Sequence, residues 1–310
     1  MSKKPVTNIA ASVHQRLLNL AREKGRPFNE VLQYFAMERF LYRLSESPHR
    51  DRFVLKGALL FTVWQAQATR PTMDIDLLGQ ISNSIDGIIG VFQAVCQQPV
   101  HADGLVFDPA SVSAERIPED ARYDGVRVTV RGTLGTARIS LHADIGFSDV
   151  VVPPPSEVDY PSLLGMPSPK ICGYSRETVV AEKFEAMVSL DVLNSRMKDF
   201  YDLWFLARNF DFDGAILADA LAKTFANRET VVSADPVALT AEFHGALEKQ
   251  TQWRAFIGKN RLADVPHDLA EVTFAIAAFL RPVSAAVAAA RAFEEVWRHP
   301  GPWRRPSRAE

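Results

Sequence analysis

The chain has 310 residues, 47% hydrophobic and 23% charged, which suits one large globular domain or two modest ones and excludes a low-complexity or disordered polypeptide. Its formal net charge of −2 excludes a global basic field, so any nucleic-acid surface must be local. Two cysteines, Cys96 and Cys172, have neither metal nor disulfide spacing and read as buried or partly buried thiols of a reducing compartment.

The opening "MSKKPVTNIA" carries charge but no apolar core, so it is not a signal peptide. Residues 10–24 place Val13, Leu17, Leu20 and Ala21 at helical spacing, and Gly25 and Pro27 stop that helix. Residues 28–45 read as a second amphipathic helix capped by Asn29. "RFVLKGALLFTVW" then gives a strand, a glycine turn and a helix start, and "MDIDLLG" gives another strand. Between 81 and 150 a helix, "IDGIIGVFQAVCQ", precedes the alternating strands "VRVTVRGTL" and "ARISLHADIGFSD", with Gly125, Gly132 and Gly135 marking turns. "VVPPPSEVDYPSLLGMPSPK" holds six prolines and reads as a loop or cover. After it, residues 175–210 predict a helical pair with Ser175 as N-cap and a turn at Asn194 and Ser195. From 213 onward only helices are expected. The longest apolar stretch, "FAIAAFLRPVSAAVAAARAF", is interrupted by Arg281 and Pro282, short of the roughly 20 residues that span a bilayer, so a soluble, cytoplasmic protein without a membrane partner is expected.

Within "RPTMDIDLLG", Asp74 and Asp76 lie two residues apart on a strand and so share one face, with Ile75 turned to the core. Two carboxylates this close repel, and a cation between them relieves the repulsion. Mg²⁺ takes oxygen ligands and keeps positions for a substrate phosphate. The plain alternative is an exposed strand whose polar face happens to carry two aspartates. Three neighbours favour the site. Gly57 at a strand-to-helix turn lets backbone N–H groups approach a phosphate, and the following helix N-terminus favours an anion. Arg70 and Thr72 stand just before the pair. On "ISLHADIGF", Ser140, His142, Asp144 and Gly146 share the polar face, which offers Asp144 as a third carboxylate. Carboxylates on neighbouring strands beside a glycine turn make a two-metal phosphoryl-transfer arrangement.

The blocks "RFVLKGALLF", "RPTMDIDLLG", "AEKFEAMV" and "NSRMKDFYDLWFLAR", with "ERFLYRLSES" upstream, resemble the nucleotidyltransferase-like AbiEii/AbiGii toxins. These are catalytic halves of bacterial toxin–antitoxin and phage-defence (abortive-infection) pairs. The resemblance spans residues 5–210 and is weaker in the helical C-terminus. It implies an α+β fold: a polymerase-β-like nucleotidyltransferase core, a mixed sheet with flanking helices, plus a C-terminal helical domain. The expected division is 1–172 and 173–310, the second part contributing Lys183 and Asp199 to the cleft. The resemblance implies metal binding (Mg²⁺ or Mn²⁺) by Asp74 and Asp76, with Asp144 as the third carboxylate that activates the incoming hydroxyl. It places the triphosphate of an NTP near Lys56, Gly57 and Ala58; Arg70 and Thr72, by their position just before the Asp pair, are the candidates for contact with phosphate oxygens. One departure stands out: such enzymes commonly carry Gly-Gly or Gly-Ser at the turn, and Gly57-Ala58 lacks the hydroxyl but keeps the backbone donors, which predicts weaker or differently tuned triphosphate binding and not loss of the site.

Val179, Lys183, Ala186, Met187 and Leu190 form one helical stripe, and a lysine in an apolar stripe is either a snorkelling or ion-paired side chain or a point charge for the triphosphate. The resemblance favours the latter and ties Asp199 to activity, orienting the lysine or the base. Arg196 and Asp199 share a face; Lys198 and Asp202 sit at i, i+4 as a surface pair, and Asp202 reads as helix packing or support. Late in the chain Trp253, Arg254, Lys259, Arg261, Trp297, Arg298, Trp303, Arg304, Arg305 and Arg308 suggest an RNA-acceptor surface, or ordinary solvated charge around buried tryptophans. His142 reads as a substrate contact or a locally bonded histidine. The resemblance thus implies transfer of NMP from an NTP to an RNA acceptor, the tRNA 3′ end, blocking translation. A protein side chain as acceptor and a degenerate binding module are the alternatives. A separately encoded antitoxin, of the transcriptional-regulator kind, is the expected partner of a monomeric toxin.

Overall fold

The computed structural model describes residues 8–64, 70–117 and 125–306. The chain divides into two compact units, Met1–Ser148 with Ser156–Gly173, and Asp149–Pro155 with Tyr174–Glu310. The last junction falls one residue from the expected division after 172, whereas a single linear cut does not express the membership of 149–155.

The first unit is a mixed sheet with helices. Helix α1 (Ile9–Glu23) is capped by the Asn8 side chain, which accepts from Ala11 N at 2.9 Å, and it buries Val13, Leu17 and Ala21. Gly25 follows at φ +60, the left-handed conformation in which a glycine ends a helix without strain. Helix α2 (Phe28–Ser45) starts directly after Pro27 with no side-chain cap, so Asn29 lies inside the first turn and is not the cap. Then come β1 (Phe53–Lys56), α3 (Leu59–Val63), β2 (Asp74–Gly79), α4 (Ile85–Gln97), β3 (Leu105–Ile117), β4 (Gly125–Leu134), β5 (Ala137–Gly146), β6 (Ser156–Asp159) and β7 (Lys170–Gly173). The seven strands lie in the order β3-β4-β5-β2-β1-β7-β6. β2 runs parallel to β5 and β1 parallel to β7, while the other pairs are antiparallel. Val126, Val128, Val130, Leu141, Ala143, Ile145, Ile75 and Leu77 are fully buried on one face, packed toward the helices, and this alternation leaves the polar positions on the other.

Three sequence expectations change here. Gly132 is not a turn; it lies inside β4 against the Phe107 ring, and only Gly135, at φ +60, sits in the β4–β5 hairpin loop. The proline-rich segment is not wholly loop, because β6 lies within it as the edge strand, its prolines outside the ladder. β3, not anticipated as an element, runs for 13 residues with a register shift between Asp108 and Ser113 that accommodates Pro109. Two buried arginines of α2 hold Asp103, Arg39 Nε at 3.0 Å and Arg43 Nη1 at 2.7 Å, anchoring the approach to β3.

The second unit is mostly helical: α5 (Arg176–Leu190), α6 (Met197–Asn209), β8 (Phe212–Asp213), α7 (Gly214–Asn227), α8 (Ala241–Gly245), α9 (Leu247–Asn260), α10 (Leu269–Ala288), β9 (Val296–Trp297) and β10 (Trp303–Arg304). The expectation of helices alone is corrected by the small sheet β10-β9-β8. The predicted interruption at Pro282 is corrected too. α10 runs unbroken through it for 20 residues and is long and apolar enough, by length and composition, to cross a membrane. It packs against α6 and α7, however, with Val272, Ile276, Phe279, Leu280 and Val283 fully buried, which makes it a core helix of this unit. The 149–155 segment is stitched to α5: Val152 N and O both meet the Thr178 hydroxyl at 2.8 Å, and Ser175 Oγ donates to Val152 O at 2.9 Å. Ser175 is also the N-cap of α5, accepting from Thr178 N at 3.1 Å.

Candidate functional site

In the first unit β2 lies between β5 and β1, and the register sets its polar face. Asp74 pairs with His142, Asp76 with Asp144, and Lys56 with Asp76. Partners in register on adjacent strands point to the same face, about 4.8 Å apart along the hydrogen-bonding direction. Asp74, Asp76 and Asp144 therefore face the same side of the sheet, and Lys56 shares it. On the far side of Asp144, β4 supplies Arg127 in the same register, and β3 supplies Glu115. One row across five strands thus reads Glu115, Arg127, Asp144, Asp76, Lys56.

Gly57 serves this row. Its φ is +70, which disfavours any side chain, and a Cβ there would come within 2.6 Å of Asp76 Cγ. The Asp76 carboxylate is seated in the space that only glycine leaves. The helix after it, α3, has just 5 residues, so its dipole contributes less to anion binding than the sequence suggests. Ala58 is buried at its start.

Arg127 grips Asp144 with both arms of its fork, Nε to Oδ1 at 2.8 Å and Nη2 to Oδ2 at 2.7 Å. Hydrogen bonding to Asp144, then its charge, with Asp74 and Glu115 as lesser neighbours, pushes the Arg127 guanidinium above its ordinary range. Among the described residues, no three His, Cys, Asp or Glu side chains are gathered so as to hold an ion. Asp144 is engaged by Arg127. Even so, the donors suit a hard cation: two carboxylates on one face, one of them seated over a bare glycine. Mg²⁺ is ordinarily bound by one or two carboxylates completed by substrate phosphates, so the Asp74–Asp76 pair fits it without a protein cage.

The approach to Asp74 is held by α2. Gln33 Nε2 donates to Met73 O at 3.2 Å and to Ser140 O at 3.1 Å, clamping the starts of β2 and β5 together. The Tyr34 hydroxyl accepts from Thr72 N at 3.0 Å, and its pKa is raised by burial. Thr72 Oγ1 is turned toward Asp74 O at 3.4 Å, while Arg70 contributes charge near Tyr34. His142 stays local, with Nδ1 3.1 Å from Thr129 Oγ1 and Nε2 3.4 Å from Ser140 Oγ.

The second unit carries the other predicted residues. Lys183 on α5 meets Asp199 Oδ1 at 2.8 Å and Asp202 Oδ2 at 2.7 Å, both carboxylates 1% exposed. Arg196 Nε lies 2.9 Å from Asp199 Oδ2, a charge contact without an aligned N–H. Burial pushes the Asp199 carboxyl up, but Lys183, then Arg196, outweigh it and hold its pKa down to about 2. The i, i+4 pairing of Lys198 with Asp202 is corrected: Asp202 is buried and belongs to Lys183. The signal for this lay in the sequence, since Asp199 and Asp202 are spaced i, i+3 and share a helix face. Arg127 was readable as a polar-face residue of "VRVTVRGTL", but its partner was not, because cross-strand register is not a local property.

The late tryptophans are structural. Trp253 donates to Pro266 O, Trp297 to Ala207 O and Trp303 to Phe279 O, at 2.9, 2.6 and 2.7 Å. Arg298 pairs with Asp211 at 2.5 Å, and Arg308 lies outside the described residues.

A family model described as the nucleotidyl transferase AbiEii toxin of type IV toxin–antitoxin systems matches residues 39–288. Two solved structures from Helicobacter pylori are similar. One is described as a candidate nucleotidyltransferase, at 13% identity and a TM-score of 0.44, over 92% of this chain and 97% of the other. The second is JHP933, at 13% identity and a TM-score of 0.45, over 92% of this chain and 94% of the other. Among the curated proteins none matches.

Proposed function

From the premise that the chain belongs to the AbiEii family of nucleotidyltransferase toxins, each paired with a separate antitoxin in a type IV toxin–antitoxin system, we propose that it transfers NMP from an NTP to an RNA acceptor, the tRNA 3′ end. Blocked acceptor ends would stop translation, and the cytoplasm is where such an acceptor is met. The observation that carries the reading is the Asp74–Asp76 pair with Asp144 in register beside it and Gly57 beneath Asp76.

The roles follow from the chemistry. Asp74 and Asp76 would hold Mg²⁺, which when bound supplies charge neutralisation at the triphosphate. Lys56 and the Gly57-Ala58 backbone offer donors to phosphate oxygens, and Arg70 adds charge. The acceptor hydroxyl attacks the α-phosphorus, the bond to the leaving pyrophosphate breaks, and the hydroxyl proton passes to the Asp144 carboxylate. Lys183, oriented by Asp199 and Asp202, is the point charge we assign to the triphosphate. Holding charged donors ready before the reaction is where such catalysis gains most.

The test is incubation of the purified protein with Mg²⁺, each of the four α-labelled NTPs in turn and total tRNA, resolved on a denaturing gel. Label on tRNA supports the reading and names the nucleotide. Label on a protein band instead would move the acceptor to a protein side chain. No label anywhere, while expression still poisons cells, would sink transfer chemistry and leave a binding module.

A further inference from the structure

Arg127 is not explained by transfer chemistry alone. It takes both oxygens of Asp144, a carboxylate of the row. The Asp144 side chain is 23% exposed and that of Arg127 42%, so the pair sits at the solvent edge and can open without disturbing the core. Its neighbours give it a second seat. Glu115 is the β3 partner of Arg127, on the side away from Asp144, and it is exposed. The guanidinium therefore stands between two carboxylates in one register row, and the chain has it turned to the catalytic one.

We propose that Arg127 is a displaceable counter-cation: it neutralises Asp144 in the metal-free protein, and a divalent ion gains Asp144 as a ligand only by driving Arg127 off toward Glu115. The inference rests on the carboxylate face being a metal site. It makes Arg127 a positioning residue that acts through Asp144. With Arg127 in place, the charge of Asp144 is met before any ion arrives. A second ion that draws on Asp144 then has to compete with a bidentate, charge-assisted pair. Asp144 is released for the acceptor hydroxyl only once an ion has displaced Arg127.

The test uses Mn²⁺ alone as probe, titrated into the full chain, with free Mn²⁺ followed by electron paramagnetic resonance. The wild type is expected to show one class of ion and a distinctly weaker second. Arg127→Gln should tighten the second class by about tenfold or more, the scale of a bidentate charge-assisted contact. Arg127→Lys keeps the charge, loses the fork and should tighten it by a smaller factor, which also covers a glutamine variant that fails to fold. Arg131→Gln removes an equal charge that does not touch Asp144, on the same face of β4, and should change nothing. The double variant Arg127→Gln/Asp144→Asn should lose the gain. Equal isotherms for wild type, Arg127→Gln and Arg127→Lys would overturn the proposal while leaving the metal reading intact, and so would an Arg131→Gln effect as large as that of Arg127→Gln. Absence of any Mn²⁺ binding in wild type and Arg127→Gln alike would instead remove the metal reading on which the proposal stands.

Discussion

Asp76 and Gly57 are a matched pair at the scale of single atoms. Asp76→Ala should cut nucleotidyl transfer at least about 100-fold by removing a metal-binding oxygen, while relieving repulsion with Asp74 and Asp144. The urea midpoint of the variant should stay level or rise; retained transfer would remove Asp76 from the site. Gly57→Ala should lose transfer for a different reason. The alanine is forced to φ +70 and its Cβ collides with the Asp76 carboxylate, at a cost of about 1–3 kcal/mol. A variant with wild-type activity and midpoint would show that the cradle yields. At Asp199 the expected effect is on pH. Its folded pKa of about 2 lies below the ordinary 3.8. The carboxylate therefore adds stability that is present above pH 4 and is lost as pH falls from about 4 toward 2. The amount is about 2 kcal/mol at neutral pH. Asp199→Asn should flatten the acid limb of the urea-midpoint profile by that amount; an unchanged limb would show that the Lys183 pair is not a linked group.

Elements differ in how openly the sequence declares them. β2, β4 and β5 were legible because strict alternation leaves only one phase that buries Ile75, Val128 and Ala143, and that phase turns Asp74, Asp76 and Asp144 outward. β3 was not, because Pro109 and the register shift beside it break the period. β8, β9 and β10 have 2 residues each, too few for any period to show. The same divide runs through the site. Residues on one element could be placed on faces, whereas the Arg127–Asp144 and Lys183–Asp202 contacts join elements whose pairing only the fold decides. Pro282 misled for a related reason: helix rules forbid it, but burial of its neighbours along α10 overrides the penalty. Since Pro282 is itself exposed, Pro282→Ala should restore a backbone hydrogen bond and raise stability by about 1–2 kcal/mol, read as a higher thermal midpoint. A lowered midpoint would mean that α10 needs the proline's bend.

For the molecule as a whole, the chain leaves the first unit after Ser148, returns at Ser156 and leaves again after Gly173. A fragment beginning at 174 therefore lacks the stitch of Val152, which holds Thr178 and Ser175 at the start of α5. That fragment expressed alone should be unfolded or lose several kcal/mol against the same unit in the full chain, by circular dichroism and urea titration. A fragment of native stability would show the stitch to be dispensable. The unit also ties Asp149 to Arg228 at 3.2 Å, so the missing segment removes a buried charge partner as well.

That threading bears on inheritance. A single crossover between residues 152 and 173 would set one parent's Val152 against another parent's Thr178. A hybrid that takes each unit whole from a different parent needs three breakpoints, after residues 148, 155 and 173.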